Sequence, residues 1–404
     1  MRILLVNQTY LPDLASTAQH LGDLARCLAQ RGHDVRVLAS TRCYEDPARV
    51  HPRHESREGV QIRRVGAFGF GKGARWRRIA DSIGFFLHLI FALLTEPTPD
   101  VMVSLTSPPL LPVIVAAIAR LRGIRFVYWA MDLNPEEAIA LGYLRGDSAL
   151  AGALLALAGW AFRQADPVIA LDAYMAAHIR RHGVAPERIV VLPPWAHHPA
   201  AIVDGAVNRF RLRFNLGSSF VVMYSGNHSP CHPLDTLLGA ALELRHEPDI
   251  VFCFVGGGIG KRQVRAFRDE HHLDSIRDLP YQPLDELPWS LAAADLHVVV
   301  MGDAFVGIVH PCKIYGVLAV DAPVLFIGPR HSHIGDLLAQ DARAAGQMVS
   351  HGDVAGAVEA IRAAQALRQR SRGREIIAGQ FDPRVLMSQM ATVIEGATAA
   401  KAGA

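Results

Sequence analysis

Two doubly wound α/β domains in tandem are the fold class this sequence predicts, and three observations predict it. The chain has 404 residues, 50% of them hydrophobic, which is long for one core and suits two. Short apolar runs alternate with helical patterns through both halves. A proline-rich stretch with Pro193, Pro194 and Pro199 separates the halves, and the second half restarts the pattern of the first.

The elements follow in order. Ile3–Val6 is a buried strand, and residues 7–16 form a loop with Pro12 and Asp13 as turn residues. Ser16 or Thr17 can cap the next helix, whose Leu21, Leu24, Ala25 and Leu28 keep helical spacing up to Gly32. Val35–Leu38 completes a right-handed βαβ unit. Residues 43–78 read as irregular and basic, ending in Lys72, Arg75, Arg77 and Arg78. Ile79–Leu94 is apolar nearly all round but carries Asp81 and His88. It is short for a membrane span, which needs about 20 residues, so a buried or interfacial helix is expected.

Strands at Val101–Leu105 and Phe126–Ala130 flank a helix at Leu111–Leu121. Asp132 follows the carboxyl end of a strand, where open α/β sheets place ligands. A helix at 148–163 and strands at Val168–Leu171 and Ile189–Leu192 close the first half. The second half reads as strand Phe220–Tyr224, helix Leu234–Leu244, strand Ile250–Val255, short strand Leu279–Tyr281 and helix Leu287–Ala294. Then come a strand before Asp303, a helix opened by Lys313 and a strand at Val324–Ile327. Beyond Val354 the chain is helical, with a break at Phe381, Asp382 and Pro383. The expected domains are 1–197, 198–380 and a terminal helix and tail at 381–404.

Charge is nearly balanced, at +3 overall, with 22 Lys and Arg against 17 Asp and Glu in residues 1–200. No basic patch is interleaved with aromatics, which excludes a nucleic-acid binder. The tilt suits an anionic bilayer surface or a phosphorylated substrate. The five cysteines, Cys27, Cys43, Cys231, Cys253 and Cys312, show no CxxC spacing, which favours a reducing, cytoplasmic setting over disulfides or structural zinc. The first residues do not read as a signal peptide.

Three loops of the second half should meet at one sheet edge: 226–233, 256–261 and 307–313, all rich in Gly, His or Lys. Lys313 at a helix entrance, where amides lack helical partners, suits a diphosphate; a surface lysine at a βαβ turn is the alternative. His228, His232 and His310 could bind metal by count. Pro230 and Pro233 rule out helical spacing, so hydrogen bonds to phosphate or sugar hydroxyls are expected and no metal is. GxSxG and P-loop motifs are absent.

MRILLVNQTYLPD with RGHDVRVLAS, SPPLL with FVYWAMDLNPEEAIALG, YSGNH, FVGGG and HPCKIYGVLAVDAPVLFIG together resemble the family-four glycosyltransferases of the GT-B fold. The likeness is to the bacterial branch that adds sugars to lipid-linked carriers. It implies two Rossmann-like domains facing each other across a cleft, no cofactor, and retaining, metal-independent transfer from a nucleotide-sugar, UDP-linked, to a polyprenyl-linked or glycan acceptor at the inner face of the cell membrane. It implies Asp132, Lys313 and His232 as catalytic residues. Donor contacts would come from Gly226, Asn227, His228, Gly256, Gly258, Lys261, Tyr281, Pro311 and Tyr315, and acceptor contacts from Ser16, Thr17 and Glu136. The chain departs from the family pattern at the first donor loop, where the usual Arg and Lys fall on Asn227 and His232. It departs again where the paired glutamates fall on Ile308 and Gly316. A non-catalytic nucleotide-sugar-binding partner is the competing reading. A nicotinamide oxidoreductase is disfavoured, because NQTYLPDLAST lacks the Gly-rich turn.

Overall fold

The computed structural model describes residues 1–43, 49–66, 75–196 and 208–399, with 75–83 and 397–399 described by their backbone. Lys72, His197, His198 and the expected boundary at 197/198 lie outside these residues. The chain divides into two units. The first is Met1–Pro194 with Gly307–Val309 and Pro383–Ala404; the second is Trp195–Val306 with His310–Asp382.

In the first unit the strands are β1 (Arg2–Val6), β2 (Asp34–Ser40), β3 (His54–Arg57), β4 (Val60–Val65), β5 (Val101–Ser104), β6 (Arg125–Trp129), β7 (Val168–Ala170) and β8 (Ile189–Val191). The helices are α1 (Ser16–Gln30), α2 (Arg75–Thr95), α3 (Leu111–Leu121), α4 (Glu136–Ala140), α5 (Ala149–Gln164) and α6 (Ala173–Arg181). The sheet order is β3-β4-β2-β1-β5-β6-β7-β8. All pairs are parallel except β3–β4. Residues 54–65, expected to be irregular, form this antiparallel hairpin. Glu58 and Gly59 turn it with φ of 52° and 83°, and Val60, Ile62 and Arg64 point inward while Gln61 is exposed.

In the second unit the strands are β9 (Phe220–Ser225), β10 (Ile250–Val255), β11 (Ile276–Leu279), β12 (Leu296–Val300), β13 (Val324–Ile327) and β14 (Gly346–Val349). The helices are α7 (Arg209–Arg213), α8 (Asp235–Glu243), α9 (Lys261–Glu270), α10 (Leu287–Ala292), α11 (Lys313–Leu318), α12 (His333–Gln340), α13 (Val354–Leu367) and α14 (Gly373–Gln380). The parallel order is β11-β10-β9-β12-β13-β14. Counted from β9 this is the dinucleotide-fold order 3-2-1-4-5-6, whose connectivity reverses between β9 and β12. The central strands β9, β10, β12 and β13 are buried on both faces. Val222, Tyr224 and Phe254 enter one buried cluster, while Val221, Met223 and Cys253 enter another across the sheet. Expected Leu279–Tyr281 is in fact β11, placed earlier, because Ile276 and Leu279 are its buried positions. Strand β14 has only Val349 buried, and its weak apolar signal escaped the sequence reading.

The final helix α15 (Pro383–Ala399) is no separate tail. It packs on α1, β5 and β6 of the first unit through Leu386, Met390, Ala391 and Ile394. Glu395 pairs with Arg31 and with His33, each at 2.7 Å.

Candidate active site

At the carboxyl edge of the second sheet, the β9–α8 and β10–α9 loops interlock through backbone. The Gly226 N–H donates to Val255 O at 2.9 Å, His228 N–H to Gly257 O at 2.7 Å and Gly260 N–H to His228 O at 2.9 Å. Glycine is required for this. Gly256 has φ 127° and a Cβ there would lie 2.0 Å from Gly226 O; Gly258 has φ 111° and would meet Asn227 Oδ1 at 2.3 Å. The half-buried Tyr281 ring lies where a Gly257 side chain would be. Gly226, Gly256 and Gly258 thus pack the loops on one another.

Lys313 comes to the same place from the loop after β12, across the switch point. Its Nζ donates to Tyr224 Oη at 2.6 Å and sits 3.9 Å from the centroid of that ring. Tyr224 Oη in turn donates to Asn227 O at 2.9 Å. A Cβ on Gly226 would be 3.6 Å from Lys313 Nζ, so the glycine leaves the ammonium approachable. No ion pair to Lys313 occurs among the described residues. Burial lowers its pKa to about 7.

Several expected donor contacts fare differently. The Lys261 side chain turns into the core, 5% exposed, donating to Phe254 O at 2.7 Å and Leu279 O at 2.9 Å and pairing with Asp278. It pins α9 to the sheet and is not free for a ligand. Tyr315 is fully buried, its hydroxyl 2.8 Å from His310 Nε2 and 3.0 Å from His333 Nε2, beside Phe381. Pro311 is also buried. At the α11 entrance, the N–H groups of Cys312, Ile314 and Tyr315 already bond His310 O, Pro311 O and Cys312 O at 2.8, 3.2 and 3.2 Å. The turn tightens to three-residue bonds, so the side chain of Lys313 and not free helix amides would attract an anion.

His228 and His232 are neutral. Burial, then Lys261 and Lys313, lowers His228 to about 3. Burial, then Lys313, holds His232 well below the usual range. His228 Nδ1 lies 3.1 and 3.2 Å from Gly226 O and Gly257 O and must carry the proton. Its buried Nε2, without a partner among the described residues, is therefore an acceptor. It fits a hydroxyl and not a phosphate. His232 Nδ1 is likewise buried, with no hydrogen-bond partner among the described residues. Neither imidazole replaces the charge of a family Lys. Asn227 is exposed on the loop.

In the first unit the turn after β1 is built from side chains. Asn7 Nδ2 donates to Thr9 O at 2.8 Å, and Thr9 Oγ1 lies 3.0 Å from Thr17 Oγ1. Ser16 Oγ is 3.2 Å from His20 Nδ1. The N-cap of α1 is Ala15 without a side-chain bond, so neither Ser16 nor Thr17 caps the helix. Asp132 follows β6, its N–H 3.4 Å from Thr106 Oγ1, and its backbone bridges Val309. Burial, then Glu137, raises its pKa to about 7. Glu136 Oε1 accepts from His182 Nε2 at 2.6 Å, while its Oε2 is buried without a partner among the described residues. Ile308, at a glutamate position, is buried, and its carbonyl accepts from Leu133 N–H at 2.9 Å.

Two Rossmann-like units, each built on a largely parallel sheet, are the GT-B fold. Residues 17–195 match the family described as a glycosyl transferase 4-like domain. A relative is Escherichia coli (strain K12) WcaI, named as a colanic acid biosynthesis glycosyl transferase. It is 26% identical over 355 residues, 83% of this chain and 86% of that one. Among solved structures, sucrose-phosphate synthase from Thermosynechococcus elongatus superposes with a TM-score of 0.77, at 16% identity, over 99% of this chain and 100% of that one. Anabaena HepE in complex with UDP-glucose gives 0.71, at 15% identity, over 98% and 100%.

Proposed function

We propose that this enzyme moves a sugar from a UDP-linked donor to a lipid-linked or glycan acceptor in cell-surface polysaccharide synthesis, retaining the anomeric configuration. The observation that carries the reading is Lys313 Nζ, held 2.6 Å from Tyr224 Oη at the switch point, with no carboxylate partner among the described residues. A diphosphate leaving group gathers negative charge as the glycosidic bond breaks, and a desolvated ammonium opposes that charge without a metal. The UDP-glucose complex of HepE and the colanic acid name of WcaI support the donor class and the pathway class. Asp132, with a pKa near 7, is suited to exchange a proton with an acceptor hydroxyl.

The proposed location is the cytoplasmic face of the inner membrane, bound peripherally. No helix among the described residues is long and apolar enough to cross a membrane. Leu87, Phe91 and Leu94 of α2 are 55, 63 and 47% exposed and lie on one helical stripe. Helix α2 packs on α3 and α3 on α5, which expose Leu121, Leu150 and Leu157. Such a face, next to Arg75, Arg77 and Arg78 in sequence, suits an anionic bilayer.

A second reading, a nucleotide-sugar-binding partner without catalysis, rests on Ile308 and Gly316 at the glutamate positions. Purified protein incubated with UDP-sugars and extracted lipid carriers decides between them, with mass spectrometry of the lipid-linked products. New glycolipid, or UDP release without acceptor, supports the enzyme; tight UDP-sugar binding with neither product supports the partner. Co-sedimentation with anionic vesicles that is lost at high salt is the expected membrane result.

A further inference from the structure

Three buried donor groups of the first unit lie outside that chemistry. Asp13, Cys43 and His51 are only 2, 7 and 7% exposed. A carboxylate oxygen, the thiol sulfur and an imidazole nitrogen from them all lie within 4.8 Å of one another. Asp13 Oδ1 is 3.0 Å from His51 Nε2.

The backbone holds each of them. Asp13 stands in the loop after β1, its N–H bonded to Tyr10 O at 3.1 Å. Cys43 and His51 stand on two facing arms after β2. Arg42 bridges Val50 in antiparallel sense, Cys43 N–H donates to Arg49 O at 3.1 Å, and His51 N–H to Thr41 O at 2.7 Å. The neighbouring buried cation Arg64 is already answered: it donates to Glu55 at 2.7 Å, to Leu11 O at 2.7 Å and to Pro52 O at 3.2 Å.

One carboxylate, one thiolate and one imidazole form a borderline-soft set of the kind that selects zinc over magnesium or calcium. Tetrahedral zinc with bonds of about 2.0–2.3 Å holds its ligand atoms roughly 3–4 Å apart; the donors here lie within 4.8 Å of one another, with Asp13 and His51 at 3.0 Å, and reach that spacing with a small side-chain adjustment. A divalent ion would balance the charges of Asp13 and of a Cys43 thiolate. Three protein ligands leave a fourth position for water. We propose that Asp13, Cys43 and His51 bind one zinc ion, which ties the loop after β1 to the loop after β2 at the carboxyl edge of the first sheet. The role proposed for the ion is to hold the two loops together, and the sugar-transfer chemistry proposed above does not use it.

The test uses the full chain, stripped with a chelator and titrated with cobalt(II). The expected result is one equivalent bound, with a thiolate-to-cobalt charge-transfer band and tetrahedral d–d bands. Cys43→Ser should abolish the charge-transfer band. His51→Gln should weaken zinc by more than about 100-fold in competition with a chromophoric chelator, more than loss of an outer-shell partner does. Zinc should raise the Tm of the wild type but not of the variants. Circular dichroism and UDP binding check that the variants fold. Should either fail to fold, the wild-type titration alone decides. A wild type that takes up no stoichiometric cobalt or zinc overturns the proposal, as does a Cys43→Ser protein that keeps the band. The trio would then be an Asp–His hydrogen bond with a thiol beside it.

Discussion

At the switch point of the second sheet the loops are held by glycine and backbone; at that of the first they are held by side chains. Gly226, Gly256 and Gly258 let the β9–α8 and β10–α9 loops close on each other, and among the described residues Lys313 is a cation there without a carboxylate partner, whereas Lys261 is taken up by Asp278. In the first unit Asn7, Thr9, Thr17 and Thr106 tie the turns, leaving Asp132 and the Glu136–His182 pair among them. Backbone packing makes a close-fitting cradle beside the Lys313 ammonium, suited to holding an anion. Side-chain packing makes a site with ionisable groups, suited to moving protons. Under the proposed function, that contrast assigns the donor role to the second unit and the acceptor role to the first.

The largest test of this contrast is Asp132→Asn. Turnover should drop by at least about 100-fold while UDP affinity stays as it was. The raised pKa of Asp132 adds a pH signature. As a base it acts when ionised, so wild-type kcat should fall as pH drops below about 7, and the variant should lose that limb. Near-normal turnover would reduce Asp132 to a strand-end aspartate.

Lys313→Ala comes next. Loss of a charge-assisted contact should weaken UDP binding by roughly 1.5–3 kcal/mol, read by calorimetry. Burial has lowered the pKa of this lysine to about 7, so the charged form is complete below that pH and is lost above it. Wild-type UDP affinity should therefore decline as pH rises past 7, by at most about tenfold per unit, and the variant should be flat. Equal affinities at pH 6.5 would remove Lys313 from the donor site.

The glycine cradle is tested by stability. Gly256→Ala puts a Cβ 2.0 Å from Gly226 O at φ 127° and should cost about 1–3 kcal/mol, lowering Tm. Gly152→Ala in α5 meets nothing within 4 Å and should be neutral or stabilising by up to about 1 kcal/mol. Similar shifts for both would show that the loop interlock is not what requires glycine.

The smallest effect is expected at Glu395→Gln, below about 1 kcal/mol because the pair is part-exposed. Arg31, then His33, holds the Glu395 carboxyl below its usual pKa. Its contribution is thus present above the unfolded value, about 4.3, and is lost as pH falls through the folded one. Denaturant unfolding at pH 7 and pH 3 should show wild type and variant converging at the lower pH.

Strands β1, β5, β9, β10 and β13 were legible because both faces are buried and their sequences are unbroken apolar runs. The β3–β4 hairpin was missed because HESR is polar throughout; the alternation in VQIRRV after Glu58-Gly59 was the signal that could have found it. At the candidate site the convergence of loops could be read from topology, but the direction of a long side chain could not. Lys261 and Lys313 both follow Gly- or Cys-ended turns, yet one enters the core to meet Asp278 and the other lies under Gly226. Asp13, Cys43 and His51 have no spacing rule, since their donors meet only through tertiary contacts.

The return of α15 to the first unit has a consequence for biosynthesis. A ribosome completes β1 through β8 early, but the groove beside α1 stays uncovered until residues 383–399 emerge. Leu386, Met390, Ala391 and Ile394 are then the last apolar contacts to arrive. The unit translated first is therefore the one finished last, and the intervening second unit can fold while its neighbour still waits. Nascent chains halted before Pro383 should accordingly show a protease-resistant second unit and a first unit still open to cleavage.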